Sequence, residues 1–194
     1  MVALAAALAL WLTRPGLAGD VEKRGGRIID EAETSEGPTV SVVFTARPVA
    51  DADLSFLRGR SGFQRLFLDS TRVHGECLDN LADCGDLLWL SLGSCPLDDD
   101  GLKHLPSLPK LELLNLNFTR ITDAGLADVA RCKNLRRLFL AKTGVTDAGL
   151  DHLKSLNQLV EVDASSTRVT ADGARRLQAA IPGLKQVQYG KSDD

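Results

Sequence analysis

The chain has 194 residues, which at about 150 residues per domain points to one domain with a little left over. Its net charge of −3, from 23 Lys and Arg against 26 Asp and Glu, argues against a general nucleic-acid binder with a basic face. A 44% hydrophobic and 25% charged composition excludes wholesale disorder, and four cysteines are too few for a disulfide scaffold.

Residues 2–12 form an unbroken apolar run, closed by Thr13-Arg14-Pro15. As a helix, residues 2–13 reach ~18 Å, short of the ~30 Å of a bilayer core. The run reads as a signal-peptide core, with small residues at Gly16-Leu17-Ala18 before a cleavage at Gly19. No basic residue precedes it, and a short membrane anchor or a cytosolic apolar tail are the alternatives. Residues 1–19 are therefore set aside from the fold, and any membrane association is expected through them alone. This places the protein outside the cell or in the envelope. Residues 20–41 follow as an amino-terminal cap, with Gly37-Pro38 between Ile28-Ile29 and residues 40–44 suggesting a hairpin.

Residues 42–180 repeat with a period of 24. Phe44, Leu68, Leu92, Leu116, Leu140 and Ala164 form one apolar column, and Val42, Leu66, Leu90, Leu114, Leu138 and Val162 stand two residues before them. Four further apolar columns hold register, the last slipping by one residue at Leu184. Within a unit, Leu114-x-Leu116 alternates like a strand with one buried face. Gly125, Leu126 and Val129 share one face of a helix, and Thr122-Asp123 before it reads as its amino-terminal cap. The glycine column Gly101, Gly125, Gly149 and Gly173 suggests close approach to a neighbouring coil. A unit this small cannot bury its own apolar stripe, whereas stacked units share a core. Residues 181–194 are expected as a carboxy-terminal cap and tail, with Tyr189 closing an apolar column.

Leu111-x-x-Leu114-x-Leu116-x-x-Thr119-x-Ile121-Thr122-Asp123-Ala124-Gly125-Leu126 resembles the leucine-rich repeat. The subtype resembles the ribonuclease-inhibitor-like and cysteine-containing repeats, including those of F-box substrate receptors. The stretches beginning at Val21 and Leu177 resemble the opening and closing segments of secreted bacterial leucine-rich-repeat proteins. The resemblance implies an α/β solenoid, a right-handed horseshoe with parallel strands on the concave face and helices on the convex face.

Candidate chemistry is thin. Cys84 and Cys132 share a leucine column, and Cys95 shares a column with Thr71, Thr119, Thr143 and Thr167, so free buried thiols are the first reading. A disulfide among Cys77, Cys84 and Cys95 is the alternative. Cysteine spacings of 7, 11 and 37 do not suit a metal site, and none is expected, nor any cofactor. His104 and His152 recur two units apart, too far to share a metal. Asp51, Asp99, Asp123 and Asp147 form a ladder that reads as helix capping. Arg72, Arg120 and Arg168 recur in alternate units as solvated loop residues.

The concave positions say more. With Leu114 and Leu116 pointing in, Leu113, Asn115 and Asn117 point out. By the same register Phe67, Trp89, Leu113 and Phe139 are expected exposed on one surface, flanked by Arg65 and Arg137. Aromatics and arginine are the types enriched at interface hot spots. The reading is a non-enzymatic scaffold that captures a protein or peptide, with those four as anchors. Arg65, Arg137, Asn115 and Asn117 would set orientation. Cover by the first cap or by a homodimer is the alternative to a separate partner. A substrate-recognition subunit of an F-box-like ubiquitin-ligase complex, or a structural envelope-associated repeat protein, are the other classes.

Overall fold

A computed structural model describes residues 16–34, 37–106 and 108–190. Its first element, helix α1 (Leu17–Lys23), buries Leu17 and Val21 in the core. Asp20 on this helix pairs with Arg60 at 3.2 Å, and Arg24 lies 4.7 Å over the Phe56 ring. The folded cap thus starts before the expected boundary at Gly19. Leu17 is only 6% exposed, so cleavage there would cut α1 and remove a core side chain.

Strands β1 (Arg27–Thr34) and β2 (Gly37–Val43) pair antiparallel as the hairpin that Gly37-Pro38 suggested. From β2 onward every pairing is parallel and in chain order. The strands are β3 (Arg65–Phe67), β4 (Trp89–Ser91), β5 (Leu113–Asn115), β6 (Arg137–Phe139), β7 (Glu161–Ser165) and β8 (Gln186–Gly190). Val42, Leu66, Leu90, Leu114, Leu138 and Val162 stand side by side across them. Val162 then aligns with Val187, one residue beyond the 24-residue step, which is the slip seen at Leu184. So β8, inside the expected terminal cap, extends the sheet. Tyr189 does align with Ala164, but at the end of the described sheet it is 46% exposed.

The connections run back as short helices. They are α2 (Asp99–Leu102), α3 (Leu126–Val129), α4 (Asp147–Leu150) and 3₁₀ turns at Asp51–Leu57, Glu76–Leu81 and Asp151–Ser155. Among the described helices, α5 (Ala171–Ala180) is the longest, with ten residues. Every residue of the six apolar columns is buried, none more than 6% exposed, in one continuous core.

Two devices join each repeat to the next. The first is the aspartate ladder, which caps the following repeat rather than its own. Asp99 accepts from Thr122 N at 2.8 Å, Thr122 Oγ1 at 2.5 Å and Gly125 N at 3.1 Å. Asp147 accepts from Thr170 N and Oγ1, and that hydroxyl in turn accepts from Asp172 N at 3.2 Å, a relay across the joint. The glycine column makes room for it, since a Cβ at Gly125, Gly149 or Gly173 would strike the preceding aspartate. One joint differs. Gly75 replaces the aspartate, and its backbone lies directly against Gly101, whose N–H is capped by Asp98 of its own repeat instead.

The second device is a left-handed residue after each strand. Ala46, Ser70, Ser94, Phe118, Lys142 and Ser166 all have φ between 55° and 59°. None is glycine, and such a conformation costs about 1–2 kcal/mol per residue. In each case its N–H donates to a carbonyl of the next unit, as in Ser94 N to Asn117 O and Phe118 N to Ala141 O, both 2.8 Å. The bond to the neighbour offsets the strain.

Two measurements check these joints. Gly101→Ala would place a Cβ on the His74 carbonyl oxygen, whereas Gly85→Ala meets nothing. Urea unfolding should show at least about 2 kcal/mol lost for the first and little change for the second. The second measurement concerns acid. Burial pulls the Asp51 carboxyl upward, but the N–H groups of His74, Cys77 and Gly75 outweigh it and hold it below the ordinary aspartate value. The Thr170 N–H likewise holds Asp147 low. A carboxyl lowered by folding stabilises above its unfolded value and ceases to as pH falls through the folded one. Stability should therefore decline below about pH 4. The double variant Asp51→Asn, Asp147→Asn should show a shallower decline across a pH series of urea midpoints.

Candidate binding surface

The strands set the concave face two residues at a time. Leu66, Leu90, Leu114 and Leu138 turn inward, so the residues on either side turn out. Phe67 and Trp89 meet edge to face, ring centres 5.2 Å apart at 60°. Arg65 lays its guanidinium 5.4 Å over the Trp89 ring. Arg65, Phe67, Trp89 and Phe139 are all half-buried, and Arg137 is exposed.

Three of the expected binding residues are placed otherwise. Leu113 is buried, 3% exposed, because Trp89 and Arg137, both longer, stand beside it on the neighbouring strands. Asn115 and Asn117 are half-buried and occupied in the fold. Asn115 Nδ2 donates to Ser91 Oγ at 2.9 Å and Asp69 Oδ1 at 3.2 Å, while its Oδ1 accepts from Asn117 N at 3.0 Å. Asn117 Oδ1 accepts from Ala141 N at 2.6 Å. They hold the turns that leave the sheet.

The sequence reading missed Asp69, which gathers Ser91 Oγ at 2.6 Å and Gly93 N at 3.0 Å as well as Asn115. Its signal was its place in the column of Asn117, one residue after the strand leucine. Two donors on this face stand out. Ser41 Oγ and Trp89 Nε1 are buried without a hydrogen-bond partner among the described residues.

The remaining candidates are structural. All four cysteines are free and buried. Cys84 Sγ donates to Arg60 O at 3.3 Å, and Cys95 Sγ to Leu68 O at 3.1 Å in the preceding repeat. Thr71, Thr119, Thr143 and Thr167, in the column of Cys95, each donate to the strand carbonyl three residues back. His74 and His104 share a shallow cleft with Glu76, Asp98 and Asp100. Among the described residues no three such side chains come together as metal ligands. Arg72, Arg120 and Arg168 are exposed, their backbones bridging Ala50, Asp98 and Thr146 in parallel. Among the described residues no helix is long and apolar enough to cross a membrane.

Burial, with the Asp83 charge adding to it, pushes the Cys84 thiol up to about 12, and burial raises Cys77, Cys95 and Cys132 as well. An aromatic disulfide reagent at pH 8 should leave the native thiols unmodified over hours and titrate four on unfolding.

Comparison with known proteins agrees with this geometry. A family described as leucine-rich repeat matches residues 107–130, the repeat built around β5. No curated protein matches the chain. Among solved structures, an internalin (InlF) from Listeria monocytogenes is 20% identical, with a TM-score of 0.50 over 74% of this chain and 37% of its own. A chain of the mouse RP105/MD-1 complex is 16% identical, with a TM-score of 0.56 over 75% of this chain and 25% of its own. The chain spans 37% and 25% of the length of those two chains. A 24-residue period, sequential parallel strands inside and short helices outside make its fold a leucine-rich-repeat solenoid.

Proposed function

We infer that the protein is a non-enzymatic scaffold that captures a protein or peptide on its concave face. The observation that carries this reading is the cluster of Arg65, Phe67 and Trp89, partly exposed and stacked on rigid adjacent strands. Large planar side chains held in place lose little entropy on contact and gain much area. Phe139, half-buried, and Arg137, exposed, repeat the Arg-Leu-Phe pattern of β3 on β6 and widen the surface. Anchors are therefore Phe67, Trp89 and Phe139, with Leu113 as the floor between them and Asn115 and Asn117 as turn supports. The mechanism is desolvation and shape, with no bond made or broken in the ligand. A chain of similar fold sits in the mouse RP105/MD-1 complex, which is in keeping with a protein partner. The apolar run at residues 2–12 supports work outside the cytoplasm, in the envelope or beyond it.

The test is affinity capture from native extract with the full chain. It compares wild type with a Phe67→Ser, Trp89→Ser, Phe139→Ser variant of matched melting temperature. Each anchor is expected to contribute about 2 kcal/mol, so the triple variant should lose the partner entirely. Equal recovery by both proteins would sink the concave-face reading and favour a spacer role.

A further inference from the structure

At the β1 end of the concave face lies a cleft of about 270 Å³, lined by Gly25, Arg27, Val43, Thr45, Ala46 and Arg47. Arg27 and Val43 are cross-strand partners, and both turn to the concave side because Ile28 and Val42 beside them turn inward. Arg47 comes from the turn after β2. That turn is closed by Arg47 N donating to Phe44 O at 3.0 Å and Ala46 N donating to Asp69 O at 2.8 Å. The Arg47 side chain runs back along Gly25, its Cδ 3.9 Å from where a Cβ there would sit. Gly25, at a φ of 74° that favours glycine, keeps this wall open.

The charges in this cleft do not balance. Two arginines line it, and among the described residues no carboxylate does. Neither Arg27 nor Arg47 has a hydrogen bond or ion pair with another described residue. The acids around the cleft are engaged elsewhere or turned away. Asp20 on α1 is taken by Arg24 and Arg60. Asp69, on the turn after β3, points to Ser91, Gly93 and Asn115. Glu22, exposed on α1, is not part of the lining. Two positive charges without a counter-charge suit a small group carrying two negative ones. A phosphomonoester has about −1.5 to −2 charge at pH 7 and three strong acceptor oxygens. Those match two guanidinium forks and the Thr45 hydroxyl. A carboxylate brings a single charge and leaves one arginine unbalanced.

We propose that this cleft seats a phosphomonoester dianion. Its oxygens lie between Arg27 and Arg47, with Thr45 as the third donor, and its organic part leaves over Val43. Val43 pairs with Phe67, so the exit leads onto the concave surface, ~10 Å from Arg27 to Phe67 at about 4.8 Å per strand. A phosphorylated side chain of a bound peptide and a free phosphomonoester share this chemistry. The seat itself does not depend on the concave-face reading.

The test uses fluorescence anisotropy with the full chain and a labelled peptide, Gly-pSer-Ala-Ala-Phe-Gly, whose phosphoserine and phenylalanine stand ~10 Å apart when extended. Two further peptides carry serine or glutamate in place of phosphoserine. The phosphoserine peptide should bind at least about tenfold more tightly than either, and the difference should shrink at high salt. Arg27→Gln and Arg47→Gln should each weaken it about tenfold at an unchanged melting temperature, since neither side chain holds another part of the described fold. Arg120→Gln removes the same charge from an exposed position outside the cleft and should leave binding as in wild type. Competition with phenyl phosphate separates the two sources. Displacement at the same concentration as unlabelled peptide assigns the seat to a free phosphomonoester. A requirement for at least about tenfold more assigns it to a phosphorylated side chain whose neighbours also bind. A phosphoserine peptide that binds no better than the glutamate peptide, or not at all, overturns the proposal. So does wild-type affinity in both Arg27→Gln and Arg47→Gln, or equal weakening by Arg120→Gln. The aromatic triple variant changes no residue of the cleft, so its capture result decides the concave-face reading alone.

Discussion

A carboxylate in one repeat that caps the main chain of the next is the interaction on which this structure depends. A unit of 24 residues has one strand and about one turn of helix, too little to bury its own leucines. The neighbour supplies the missing cover, and the aspartate ladder sets how near the neighbour comes. Asp99 reaches Thr122 and Gly125 only because residue 125 has no side chain in the way. The pairing of acid and glycine is thus one device split over two repeats. Where the acid is absent, at position 75, a second glycine replaces it and the two backbones touch. Both solutions keep the same spacing, and the sheet runs through without a break in register.

Much of this was legible in the residues because burial acts on side-chain type. Leucine, valine and phenylalanine recurring at fixed offsets have no good place except a shared core, and every one of them is there. What escaped was whatever depends on a neighbouring strand or on backbone alone. Leu113 alternates correctly toward the concave face, yet Trp89 and Arg137 beside it decide its exposure. Asn115 and Asn117 look like surface amides until the unpaired N–H groups of the turns are counted. The left-handed column holds Ala, Ser, Phe and Lys, so no residue preference announces it. At Leu17, an apolar run invited a boundary that the packing of α1 does not respect.

The concave surface follows from the same division of labour. Inward leucines hold the strands, the polar residues after each strand hold the turns, and what remains on the face is free to differ between repeats. On β3 and β4 that freedom is used for an arginine and two interlocked rings. Those rings stand on strands hydrogen-bonded on both sides, so a ligand meets a surface already in place and need not order it. Among the described residues, the buried Ser41 hydroxyl and Trp89 indole N–H stand unpaired on that face.

The positive backbone angles at Ala46, Ser70, Ser94, Phe118, Lys142 and Ser166 carry one more consequence. Each is a conformation that its own residue resists and that a carbonyl in the following unit rewards. Order is therefore passed along the chain from neighbour to neighbour, as in a row of coupled spins. A unit cut from the array has no receiving carbonyl, and its turn relaxes.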